Sequence, residues 1–124
     1  MTKPTDSELE ILRILWSSGP SSVRLVNDKM NEAKDTGYTT TLKLMQIMAQ
    51  KGLVERDESS RTHIYKAVAQ KDQVQGAMVD KLLDLAFGGS SSQLVLSALG
   101  RGKTSKEELD KIKELIKKLE DGDQ

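Results

Sequence analysis

The 124-residue sequence has no cysteine and one histidine, His63. That excludes disulfides, thiolate nucleophiles and a Cys/His metal site, so no cofactor is expected. No uninterrupted apolar run exceeds three residues, far short of the roughly 20 that a transmembrane helix needs. The opening Met1-Thr2-Lys3-Pro4-Thr5-Asp6 has no apolar signal-peptide core, which predicts a cytoplasmic protein without membrane insertion. Excess charge is lacking too, with 19 basic residues against 19 acidic ones. Any binding to DNA must therefore come from locally placed side chains rather than from bulk charge.

Helix signals dominate what is present. Thr5-Asp6-Ser7-Glu8 reads as a capping box, followed at helical spacing by Leu9, Ile11, Leu12, Leu15 and Trp16. Gly19-Pro20 ends that helix, and Ser21 or Ser22 caps a second with Val23, Val26 and Met30 as its buried stripe. A polar stretch from Asn31 to Gly37 leads to a third helix capped near Thr39, with Thr41, Leu44, Met45 and Met48 on one side, ended by Lys51-Gly52. The period then changes. Residues 53–57 and 62–67 read as two strands flanking the polar turn Glu58-Ser59-Ser60-Arg61. Three short helices and a hairpin in this order predict a winged helix-turn-helix.

Residues 68–71 read as a hinge. Beyond them the sequence predicts a helix over 72–86 with Val74, Met78, Leu82 and Leu85, the turn Phe87-Gly88-Gly89, and a short apolar helix around Leu94–Leu99. A second capping box, Ser105-Lys106-Glu107-Glu108, opens a last helix. There Leu109, Ile112, Ile116 and Leu119 follow the 3-4-3 spacing of a packed helical seam. Three short helices bury little surface alone, so a partner is expected, most simply a second copy of the chain. The expected division is a winged-helix domain over residues 1–70 and a helical dimerisation domain over 71–124. Val74, Met78, Leu82, Leu109, Ile112, Ile116 and Leu119 are its candidate dimer contacts.

Placed on a helical wheel, Thr39, Lys43, Gln46 and Gln50 fall opposite the third helix's apolar side. From Gly37 to Val54 there are two lysines and no acid. Glutamine can read adenine, lysine can reach guanine or phosphate, and threonine can meet a thymine methyl. A solvated polar face is the bland alternative. Arg61 and His63 in the hairpin turn suit a wing touching phosphates, or plain surface; Tyr38 suits either a phosphate or packing. Trp16 and the internal methionines read as core. Catalysis finds no support: the carboxylates lie on solvated helix faces, Gly88-Gly89 lacks a phosphate-loop context, and His63 stands in the turn.

Tyr38-Thr39-Thr40-Thr41, Lys51-Gly52-Leu53-Val54 and Arg61-Thr62-His63-Ile64-Tyr65 together resemble the penicillinase-repressor family. So do the early Leu12-x-x-Leu15-Trp16-x-x-Gly19-Pro20 and the later Phe87-Gly88-Gly89-Ser90. The resemblance runs from about residue 5 to 120. It implies a homodimeric repressor bound to a palindromic DNA operator, in several members released when a membrane metalloprotease sensor leads to a cut in the dimerisation domain. On that footing Thr39, Lys43 and Gln46 would read bases, while Tyr38, Thr40, Lys51, Arg61 and His63 would hold the backbone. Leu42 stands where many relatives carry a basic residue. Leu96-Ser97-Ala98-Leu99 stands where some relatives are cut at Asn-Phe. With no thiol and no separate ligand-binding domain, weakening the dimer is the remaining off-switch, and the segment from Ser92 to Lys103 is its expected point of proteolysis. An interaction adaptor that keeps the fold without touching DNA is the reading from another class.

Overall fold

A computed structural model describes residues 3–122, so Met1 and Thr2 of the leader reading lie outside the described residues. The element order is α1 (Asp6–Ser18), β1 (Ser21–Ser22), α2 (Val23–Asn31), α3 (Tyr38–Gln50), β2 (Val54–Asp57), β3 (Ile64–Ala67), α4 (Lys71–Ala86), α5 (Ser91–Leu99) and α6 (Lys106–Glu120). The chain divides into two compact units, residues 1–77 and 78–124, and the division falls inside α4. Among the described residues no single helix is long and apolar enough to cross a membrane.

In the first unit, α1 begins with the expected capping box: the Glu8 amide donates to Thr5 Oγ1 at 3.3 Å and the Thr5 amide to Glu8 Oε1 at 2.9 Å. It ends at Gly19, whose φ of 77° a side chain would strain and whose amide donates to the Leu15 carbonyl. Ser22 then caps α2 by accepting from the Leu25 amide. The wing is part of a three-stranded antiparallel sheet in the order β1-β3-β2, not a two-stranded ribbon. β1 is only two residues long, Ser21 facing Tyr65 and Ser22 facing Ile64, too short to leave a period-2 pattern in the sequence.

Ile11, Leu12 and Leu15 of α1, Val23, Val26 and Met30 of α2, and Met45 and Met48 of α3 make one core with Leu53, Val54 and Tyr65. Two segments expected to lie outside it belong to it. The supposed hinge is held down: the Val68 and Ala69 amides donate to the Leu53 carbonyl, and the Trp16 indole donates to the Ala69 carbonyl at 2.9 Å. Val74, expected at a dimer contact, is 5% exposed and packed in this core, at the end of the segment those bonds tie down.

The second unit holds most of α4 together with α5 and α6. Ser90 caps α5, and Ser105 with Glu108 forms the second capping box at α6. The Phe87-Gly88-Gly89 turn closes as the Gly89 amide donates to the Leu83 carbonyl at 2.8 Å.

Candidate nucleic-acid interface

Three polar features position α3. The turn before it is tied by Asn27, buried in α2, whose amide nitrogen donates to the Thr36 carbonyl and to Thr41 Oγ1, both at 2.9 Å. Asn31 completes the tie, accepting from the Thr36 amide at 2.7 Å and donating back to the Thr36 carbonyl. At the other end Lys51 Nζ lies 2.9 Å from both oxygens of Glu8, which is 2% exposed. Burial pushes the Glu8 carboxyl up, but the Thr5 amide and the Lys51 hydrogen bond and charge outweigh it and hold it below its ordinary value. Among the described residues no buried side-chain polar atom lacks a hydrogen-bond partner.

So held, α3 buries Thr41, Met45 and Met48 and leaves Thr39, Thr40, Lys43, Gln46 and Gln50 exposed. The cap expected near Thr39 lies earlier, at Gly37, with no side-chain bond; Thr39 is thus a helical residue with a side chain in solvent. Thr41, read as part of an apolar stripe, carries the hydrogen bond from Asn27 as well.

Beside α3 runs an open cleft of about 500 Å³, walled by the start of α2, by α3 and by the wing. It brings together four of the expected residues, Tyr38, Gln46, Arg61 and His63. Thr39, Thr40 and Lys43 are not among its lining residues, although they share the exposed face of α3. Lys51, the residue that caps the end of α3, does not line the cleft, and its ammonium is ion-paired with Glu8 of α1. Two arginines that the sequence reading passed over also line the cleft, Arg24 and Arg56. Arg24 lies over the Tyr38 ring, 5.3 Å from its centroid. The Tyr65 side chain, and Glu58 with its Oε1 3.2 Å from Nη2, raise the pKa of the Arg56 guanidinium further. The same oxygen is 3.9 Å from His63 Nε2. Where β2 enters the turn, Asp57 accepts from the Ser59 amide at 2.9 Å, and the Ser59 backbone and side chain lower its pKa.

A tri-helical unit with a small sheet, one exposed helix free of acids and an arginine-lined cleft beside a wing is a winged helix-turn-helix protein. A MarR family protein from Bacillus stearothermophilus has the same kind of fold, with a TM-score of 0.56 and 20% identity over 98% of this chain and 76% of that one. The penicillinase repressor family matches residues 4–118. The transcriptional regulator BlaI of Mycobacterium tuberculosis is 31% identical over 98% of this chain and 88% of its own. The methicillin resistance regulatory protein MecI of Staphylococcus aureus is 18% identical over 92% and 93%. The chain belongs to the penicillinase repressor family, whose members are transcriptional regulators and not enzymes.

Proposed function

We propose that this chain is a cytoplasmic repressor that binds a palindromic DNA operator as a homodimer, residues 1–70 serving recognition and 71–124 dimerisation. The observation that carries the DNA reading is the two-sided character of α3. One side is fixed in the core, and the other presents Thr39, Lys43 and Gln46 with no acid anywhere from Gly37 to Val54. In this motif such a face enters the major groove, and paired half-sites about a helical turn apart, or a multiple of it, require a two-fold dimer. The second unit supports the dimer: Met78, Leu82, Leu109, Ile116 and Leu119 are all exposed in the single chain, and Ile112 is only half-buried. Release from DNA follows from cleavage between Ser92 and Lys103, initiated by a membrane metalloprotease sensor. Exposed Val95 and Leu96 and the Gly100-Arg101-Gly102 turn make that segment accessible.

Lys43→Ala and Gln46→Ala test the base-reading role on duplexes selected from a random pool. Each substitution should weaken specific binding by about 1–3 kcal/mol. Thermal stability should stay unchanged, because both side chains are exposed. Full affinity in the double variant would contradict the assignment, and failure of the unaltered chain to select any duplex would favour an adaptor that does not bind DNA.

A further inference from the structure

We propose that the cleft seats a backbone phosphate of duplex DNA gripped by Arg24 and Arg56, and that Glu58 is the internal anion which this phosphate displaces. The proposal rests on the DNA-binding reading and adds to it a phosphate seat and a residue that opposes binding.

The placement of Arg24 is the first reason. It is the second residue of α2, in the turn where the helix dipole disfavours a cation, and no acid stands in that turn to offset it. The helix itself gains no electrostatic stability from an arginine there. The Tyr38 ring is a cation–π partner for the guanidinium at 5.3 Å, the Arg24 side chain is exposed, and a guanidinium carries five N–H donors. Arg24 is therefore held in place and still able to donate to an anion. Arg56 faces the same cleft, and guanidinium groups match phosphate oxygens with paired donors.

Charge in the cleft is the second reason. Arg24, Arg56, Arg61 and His63 line it, and no carboxylate does. Glu58, which is not itself a lining residue, sets a single oxygen against both Arg56 and His63. Its side chain is 58% exposed, so leaving the pair for water costs little. A phosphate has more acceptor oxygens than that single one and brings its own charge. Gln46 lines the same cleft, so a phosphate seated there lies beside a residue of the base-reading face.

The test uses the full chain and a random-sequence 30-base-pair duplex, with binding followed by fluorescence anisotropy between about 50 and 200 mM chloride. The unaltered chain should bind with an affinity that falls as a power of the salt concentration. Arg24→Gln and Arg56→Gln should each flatten that slope by about 0.9 for every phosphate the variant no longer neutralises. Glu58→Gln should act the other way and tighten binding about two- to fivefold at the lowest salt. Glu55→Gln is the control for bulk charge: it removes the same charge from β2, at a residue paired with Lys66. Its effect should be smaller than that of Glu58→Gln. Equal effects of the two glutamate substitutions would overturn the proposal, as would arginine variants with unchanged slopes and unchanged melting curves. Protection of the chain against heating by inorganic phosphate at matched ionic strength, with no change of DNA slope in the variants, would make the cleft a free-anion site and overturn it too. If the unaltered chain binds no duplex at any salt, the DNA reading itself fails and takes this one with it.

Discussion

Residues 1–77 and 78–124 are both mostly helical, yet they treat their apolar side chains in opposite ways. Among the described residues every buried apolar side chain, from Ile11 to Val74, belongs to the first unit. The second unit has none, and Leu85, Leu96 and Leu119 are 76%, 69% and 57% exposed. The same contrast shows in their capping boxes. Thr5 with Glu8 and Ser105 with Glu108 make the same reciprocal bonds, but Glu8 is buried against Lys51 whereas Glu108 is exposed. Local sequence specifies a helix start equally well in both places. What the start contributes to stability depends on what packs around it, and only the first unit supplies that packing from its own chain.

The largest expected effect tests the first unit's self-sufficiency. Leu12 is fully buried, so Leu12→Ala should cost about 2–5 kcal/mol of stability, read from denaturant unfolding. Next comes Ile116→Asp, 47% exposed in the single chain. It should leave the melting of the first unit unchanged, yet give monomers by sedimentation and weaken operator binding at least about a hundredfold, as each module loses its tethered neighbour. A variant that stays a tight dimer would move the interface off the seam of α6. The smallest effects distinguish the capping boxes. Glu8→Gln keeps an acceptor for the cap but leaves Lys51 without its charge partner, and should cost about 1–3 kcal/mol at pH 7. Because the folded pKa of Glu8 is depressed, the stability it contributes is present above the ordinary carboxylate value of 4.5 and is lost as pH falls through the lower folded value. The difference between Glu8→Gln and the unaltered chain should therefore shrink on acidification. Glu108→Gln should change stability by under about 0.5 kcal/mol at either pH. Equal costs at the two glutamates would remove the contrast between the units.

The sequence carried the helices well because their signals are local. Thr5, Ser22 and Ser105 cap where expected, and Val23, Val26 and Met30 are the buried stripe of α2. What it did not carry is non-local. Pairing of Ser21 and Ser22 with β3, the ties from Ala69 to Trp16 and from Lys51 to Glu8, and burial of Val74 all join residues more than forty positions apart or depend on such joins. The candidate interface was legible in the same uneven way. The acid-free face of α3 is a helical-wheel property, so the exposure of Thr39, Lys43 and Gln46 is legible locally. Arg24 is not legible on that wheel, because it precedes the helix and shares a cleft with the wing only in the fold. One local signal did mark it, a cation in the first turn of a helix with no acid beside it.

Selection of bound duplexes from a random pool by the full chain tests the central claim most directly, that two copies each place α3 in a major groove. The account predicts enrichment of an inverted repeat whose half-sites are centred about one helical turn, or a multiple of it, apart. Enrichment of a single undivided motif, or none at all, would contradict it.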